Sequence, residues 1–302
     1  MTLARFVSRL IAFASVAALA ACGNTVTGSS GARACITAAA CAPSIGGVSQ
    51  CTASIAGVNN AAFAAAAHIN GAEVNCLAGA GNNCDTARRC LNGGMEPQPC
   101  TGGSASCAGN IYNFCGGLTG TNGQEGTQQF DCASVGEMCV GSGGTIDCGL
   151  GTCSGNASSC VGNQLQSCQG GILHQFDCAP YGATCVTTIG ISHCRGSGAA
   201  CTAGNPLDPF APVRCDGATL VVCADGQEAR FDCGQLAEGC FPNVGGRAFG
   251  CALGGDCDPN NYSATCIGTK LNFCNNGKVS TFDCTSAGFH GCDPQNGGRC
   301  TP

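Results

Sequence analysis

The chain has 302 residues, among them 31 cysteines, 49 glycines and no tryptophan, with 12 basic against 18 acidic side chains. No basic cluster exists to neutralise phosphates, which excludes nucleic acid and an anionic lipid surface as expected partners. Cysteine at this density is the usage of an exported disulfide framework rather than of reduced thiols.

Arg5 and Arg9 form a positive n-region, the run from Leu10 to Leu19 is short and apolar, and small residues follow at once. Residues 1–21 are therefore expected to be a secretory signal peptide, too short to span a bilayer. Leu19-Ala20-Ala21-Cys22 resembles the lipobox of bacterial lipoproteins. That resemblance implies a diacylglycerol on the Cys22 sulfur, cleavage just before it and acylation of the new amine. Several acyl chains together anchor stably where one does not. Gly23 and Asn24 follow the anchor and no Asp sits at the second position, which in that family implies the outer membrane. Loss of the signal leaves ten basic residues against eighteen acidic, a net charge of −8. Residues 22–34 are rich in Gly, Ser and Thr and are expected to form a flexible tether.

Setting Cys22 aside leaves thirty cysteines in five groups of six. The first group, Cys35, Cys41, Cys51, Cys76, Cys84 and Cys90, defines a module over 35–92. Its alanine-rich stretch from Val58 to His68 predicts a helix. Asp85 is expected to cap a second short helix to Leu91, ended by Gly93-Gly94. Asn92 to Pro99 reads as a linker.

The remaining four groups are copies of one unit. They are Cys100, Cys107, Cys115, Cys132, Cys139 and Cys148 (100–148); Cys153, Cys160, Cys168, Cys178, Cys185 and Cys194 (153–194); Cys201, Cys215, Cys223, Cys233, Cys240 and Cys251 (201–251); and Cys257, Cys266, Cys274, Cys284, Cys292 and Cys300 (257–300). Phe-Asp precedes the fourth cysteine in every copy, and a glycine stands two residues after the second: Gly109, Gly162, Gly217 and Gly268. Gly170-Gly171, Asp225-Gly226 and Asn276-Gly277 are dipeptides that favour a two-residue hairpin turn. Counting outward from them sets Leu165 against Phe176, Leu220 against Phe231 and Leu271 against Phe282, with Tyr112 and Phe130 as the equivalent pair in the first copy. A second hairpin is expected around Gly143-Gly144, Ile189-Gly190, Gly245-Gly246 and Gly297-Gly298. The fold class is thus small and disulfide-rich: tandem β-hairpin modules after a short α-helical module. A hairpin alone is marginal in water, so disulfides must hold each unit together.

Six cysteines allow 15 pairings. If the second and third lie at opposite ends of one strand, about 26 Å apart, they cannot bond to each other. Third to fourth fails similarly, and second to fourth is disfavoured by side-chain direction. Cysteines two, three and four then pair with one, five and six. A cross-strand bond from five to six competes, because Cys185 and Cys194 would stand directly opposite.

Cys-x-Gly-Asn-x-Leu-x-x-Cys over Cys160 to Cys168, the Phe-Asp-Cys triplets and Cys84-Asp85-Thr86-Ala87-Arg88-Arg89-Cys90-Leu91 resemble the cysteine-rich repeat lipoproteins of myxobacteria and related soil bacteria. That family carries no common activity, so the resemblance implies location and architecture alone.

Chemical motifs are sparse. No Cys-x-x-Cys occurs, so neither a zinc knuckle nor a redox-exchange pair is expected. Asp256-Cys257-Asp258-Pro259-Asn260 begins like a calcium loop, but Asn261 stands where glycine belongs and Ile267 where glutamate does; a disulfided turn is the better reading. His68, His174, His193 and His290 form no triad or helical spacing and read as exposed loop residues, and the repeated Asp before the fourth cysteine reads as a cross-strand structural group. Gly149-Leu150-Gly151 leads into Cys153 and not from a strand into a helix, so it is not a nucleotide loop. No metal, cofactor or catalytic residue is expected. The expected function is a non-catalytic, lipid-anchored envelope or surface protein, a stalk or adhesion and interaction scaffold with an unknown protein or glycan ligand. The loops from Leu118 to Glu125 and from Ala203 to Val213, where copies differ most, are its expected recognition sites. A carbohydrate- or peptidoglycan-binding protein and a secreted enzyme or inhibitor are the alternatives.

Overall fold

The computed structural model describes residues 28–41, 47–56, 64, 68–100, 105–115, 126–155, 157–202, 211–244, 247–295 and 297–302. Residues 1–27, and with them Cys22, lie outside that set, as do most of the stretch from Val58 to His68, residues 118–125 and residues 203–210.

Each repeat is a three-stranded antiparallel sheet followed by a two-stranded hairpin, with the linker before Cys153 adding an edge strand to the sheet of repeat 2. In repeat 1 the sheet is β1 (Ala105–Ala108), β2 (Ile111–Cys115) and β3 (Thr127–Asp131), and the hairpin is β4 (Met138–Ser142) with β5 (Thr145–Gly149). The turn between the second and third strands is left-handed at both residues, with φ of +50° and +72° at Asp225-Gly226 and +43° and +88° at Asn276-Gly277. That geometry matches the right-handed strand twist and is cheap for Gly, Asn and Asp. The register is the one counted from the turns: Leu165 opposite Phe176, Leu220 opposite Phe231, Leu271 opposite Phe282 and Tyr112 opposite Phe130.

One expectation fails here. The chain between the second and third cysteines is not one strand, because the repeated glycine two residues after the second cysteine takes φ near +60° (Gly162) to +62° (Gly109) and folds the chain back. The second cysteine therefore sits on its own outer strand. It completes a cross-strand row with the Leu and Phe, as in Cys160, Leu165 and Phe176. The second hairpin lies over this row. The third cysteine, three residues after the Leu, projects from the opposite face.

Those faces decide the disulfides. In repeat 2 the bonds are Cys153–Cys168, Cys160–Cys185 and Cys178–Cys194. First to third, second to fifth and fourth to sixth is the pattern in all four repeats. The helical module repeats it with Cys35–Cys51, Cys41–Cys84 and Cys76–Cys90. The fifth and sixth cysteines do stand directly opposite, as Cys185 and Cys194 do. They share one face of the second hairpin, yet each bonds outward, one to the first strand of the sheet and one to the residue just after the third. Two parallel bonds clamp hairpin onto sheet where a five-to-six bond would only have closed the hairpin on itself.

The Asp of each Phe-Asp-Cys is a cap. Its side chain accepts the backbone N–H two residues on, from Ala133, Ala179, Gly234 and Thr285 at 3.0, 2.9, 2.8 and 3.1 Å. This starts a single 3₁₀ turn that ends in a left-handed residue: Gly136, Gly182, Ala237 or Gly288. The cross-strand positions opposite Asp177, Asp232 and Asp283 are Gln164, Thr219 and Lys270. The capping bond is the contact common to all four copies. Only repeat 3 places a side chain with a Cβ at the left-handed position, Ala237 at φ +58°. Ala237→Gly is therefore expected to stabilise repeat 3 by about 1 kcal/mol, measured by denaturant midpoint or by local amide exchange. A loss of stability would mean that the turn is not left-handed there.

Neighbouring repeats join through the linker that precedes each first cysteine. It runs beside the third strand of its own sheet, and the turn glycine's carbonyl accepts the N–H of the first cysteine: Cys153 on Gly171 and Cys201 on Gly226, both at 2.9 Å, and Cys257 on Gly277 at 3.2 Å. Tyr181 is stacked between Phe176 of its own repeat and Phe231 of the next, with ring centroids 5.3 and 5.0 Å away.

The N-terminal module has four described helices: α1 (Gly28–Cys41), α2 (Val48–Ile55), α3 (Gly71–Ala80) and α4 (Cys84–Cys90). The expected tether over 22–34 is thus corrected from Gly28 onward. α1 is buried from Gly31 to Ala40 except at Arg33, because its Ala, Gly and Thr side chains are small enough for elements to pack around it. The expected Asp85 cap is also corrected. Asn83 caps α4, accepting the Thr86 N–H at 3.0 Å, while Asp85 pairs with Arg88 in the first and last turns. α3 starts with a capping box: Asn70 Oδ1 accepts the Glu73 N–H at 3.0 Å and Glu73 Oε2 accepts the Asn70 N–H at 2.8 Å.

The four repeats do not extend from this module as a stalk. Leu271, Phe273, Cys284, Phe289 and Cys300 of repeat 4 belong to the same buried cluster as Ile36, Val48, Val74 and Leu77. The strand Lys270–Asn275 pairs along its whole length with Lys278–Asp283, but on its other side Thr265–Ile267 reaches only as far as Asn272, and α2 covers the rest of that side with hydroxyls. Ser49 Oγ accepts the Cys274 N–H at 3.1 Å and Thr52 Oγ1 accepts the Asn276 N–H at 3.2 Å. At its other end the module holds repeat 1, where Leu91 O accepts the Gln129 N–H at 3.1 Å. The modules close into a circle.

Candidate functional site

The densest group of polar and aromatic side chains lies where the helical module meets repeat 1. His68, at the left-handed φ of +49°, sets its ring against repeat 1. Its Nε2 is 2.6 Å from Asp147 Oδ1 on β5. The ring centroid is 4.7 Å from Tyr112, 5.5 Å from Phe114 and 5.8 Å from Phe130. Tyr112 and Phe114 alternate on β2 and so share a face, which is why both rings reach the same imidazole.

The electrostatics follow from burial. Burial raises Asp147, but hydrogen bonds from His68 and from the Cys148 N–H outweigh it and hold the carboxyl below its ordinary range. The His68–Asp147 contact therefore stabilises the fold above the ordinary aspartate range and is lost as pH falls through the lowered value. Glu137 is the opposite case. Its Oε2 is buried with no hydrogen-bond partner, and burial, then the Asp147 charge, push it upward against the pull of His68. Burial and Asp147 also raise the Tyr112 hydroxyl.

A cavity of about 280 Å³ opens beside His68, walled by Ala34, Ile55, Val74, Leu77 and Leu91. Ser54 lines it, but donates its proton to Gln50 O at 2.9 Å. The site thus orients one imidazole and half-buries two acids, while the Ser54 hydroxyl is committed to Gln50 O.

Sequence reasoning missed this group. His68 is half-buried rather than an exposed loop residue, and His193 too is paired, with Asp225 at 2.8 Å across the junction of repeats 2 and 3. The signal at hand was Asn70-x-x-Glu73, which marks a helix start just after His68 and hence a packed corner there. Asp258 accepts the Asn260 N–H at 3.0 Å in a turn beside a disulfide. Among the described residues no group of three or more His, Cys, Asp or Glu converges as metal ligands would, and no helix is long and apolar enough to cross a membrane.

Comparison with protein-family models, with curated proteins and with solved structures finds no match.

Proposed function

We propose that the chain is a non-catalytic scaffold of the bacterial cell envelope, anchored by lipid on Cys22 and facing its environment through disulfide-clamped repeats. The observation that carries this reading is the cysteine count. Fifteen disulfides use thirty of the 31 cysteines, and the one left is the cysteine of the lipobox-like segment. A chain this dependent on disulfides needs an oxidising compartment, which an export signal supplies. The outer membrane is the proposed address, from the residues after Cys22. Cys22→Ala is expected to move the protein from the membrane fraction to the soluble fraction of its host. A variant that stays in the membrane fraction would remove the lipid anchor from this account.

A second reading, carbohydrate or peptidoglycan binding, has one structural observation in its favour. An open groove of about 620 Å³ between the helical module and repeat 4 is lined by Arg33, Asn75, Asn275, Thr281 and Phe282. Amides, hydroxyls and an aromatic edge suit a sugar better than an apolar ligand. Retention on cell-wall sacculi that Arg33→Ala abolishes would favour this reading, and equal retention of both proteins, or none, would end it.

A further inference from the structure

Three glutamates sit at the places where the helical module meets its neighbours. Glu73 starts α3 and faces Asp131, the capping residue of repeat 1. Glu137 of repeat 1 lies beside His68 and Asp147, with one carboxyl oxygen buried and unpartnered. Glu238 of repeat 3 accepts a hydrogen bond from Asn276 Nδ2 at 2.6 Å. It lines a small cavity of about 30 Å³ together with Gly28, Thr52 and Ile55 of the helical module and Asn276 of repeat 4.

Asp131 beside Glu73 and Asp147 beside Glu137 oppose ionisation, while the hydrogen bonds from Asn70 and Asn276 and the charge of His68 favour it without outweighing burial. Glu73 meets the Asp131 carboxylate, and its own oxygen is already committed to the Asn70 N–H. Glu137 meets Asp147, and the nearby His68 is already hydrogen-bonded to that aspartate. Glu238 meets a neutral amide. Each carboxyl is half-buried at its junction, so its ionisation places a poorly solvated charge there, which the junction can relieve by opening to water.

We propose that the helical module is a pH-governed clasp, closing the circle of repeats while these junction carboxyls carry protons and releasing its neighbours as they ionise. Burial pushes Glu73 from 4.5 up to about 8, against the Asn70 hydrogen bond and with the help of Asp131. Burial likewise pushes Glu238 from 4.5 to about 7. A carboxyl raised on folding contributes stability that is complete below its unfolded value and is lost as pH rises through its folded value. The clasp therefore holds hardest in mild acid and loosens through neutrality into mild alkali. Asp147 sets the other limit, since its contact with His68 fails only in stronger acid. Opening costs the repeats little, because each keeps its three disulfides. It bares the Cys274 and Asn276 backbone now covered by Ser49 and Thr52, an unpaired strand edge open to an added strand. The clasp does not depend on how the protein is anchored.

Amide exchange on the disulfide-intact mature protein tests this, read at about pH 5.5 and about pH 8.5 after correction for intrinsic rates. The reporters are the amides of Cys274, Asn276 and Gln129, which bond across the junctions, with Leu165 and Phe176 inside repeat 2 as reference. Junction protection is expected to fall roughly tenfold or more at the higher pH while the reference holds. Glu73→Gln/Glu137→Gln/Glu238→Gln is expected to keep its junction protection at both, since glutamine keeps the hydrogen bonds and cannot ionise. Glu238→Gln alone, the milder change, is expected to keep it at Cys274 and Asn276. Equal wild-type protection at both pH values, a parallel loss in repeat 2, or variants that loosen as the wild type does would each overturn the clasp.

Discussion

Phe130→Ala is expected to destabilise repeat 1 by about 3–5 kcal/mol, the range for emptying a fully buried phenylalanine site. Phe130 is 0% exposed and, among the described residues, forms with Cys132 and Cys148 the buried centre of that repeat's cluster, with Tyr112, Phe114, Val135 and Cys139 packed around it. So small a core has nothing that could collapse into the space. The ring also meets His68 edge-on, so the damage is expected to cross the junction. Amide exchange should show repeat 1 and the Gln129 amide losing protection together, with repeat 4 unchanged. A cost under about 1 kcal/mol would mean that the disulfides alone hold the repeat.

The second large effect separates two kinds of disulfide. Cys178–Cys194 closes 16 residues and Cys160–Cys185 closes 25. Loop entropy gives each about 3 kcal/mol and favours the longer loop by only about 0.4 kcal/mol. Burial points the other way. Cys178 and Cys194 pack with Ala183 and with Val222, Ala224 and Ala229 of repeat 3, whereas Cys160 is half-exposed beside the Thr187 hydroxyl. Lost packing adds on the order of 1 kcal/mol or more to the first pair and little to the second. Cys178→Ala/Cys194→Ala is thus expected to be the more damaging double change and to loosen repeat 3 as well. Thermal unfolding of each double variant, followed repeat by repeat, checks the order. A larger loss from Cys160→Ala/Cys185→Ala would make loop closure, not packing, the dominant contribution.

What was legible in the sequence was local. Asn-Gly, Asp-Gly and Gly-Gly demand a left-handed turn, and once the turn is placed a period of two sets every partner in the sheet, so the Leu–Phe register followed without a structure. The repeated glycine after the second cysteine was equally visible. Read without its turn, it merges two strands into one and leaves the disulfide pattern open. Asp before the fourth cysteine shows the same gap: the aspartate and a left-handed residue five positions on bracket a capped 3₁₀ turn, yet pairing across the strand looked sufficient. The non-local features left weaker marks. Gly28 to Arg33 has the composition of a tether, yet it is helix, in an element packed by the other helices and by repeat 4, more than two hundred residues away. The circle depends on contacts of that length, and the His68–Asp147 pair spans 79 residues, which no short window of sequence carries.

The most direct test of the central claim is the intact mass of the protein isolated from its own host, alkylated before and after reduction. This account predicts no alkylation before reduction, thirty labels after it, and a lipid-sized addition on an N-terminal peptide that begins at Cys22. Thiols that label without reduction, or an N-terminus that keeps residues 1–21 and carries no lipid, would contradict it.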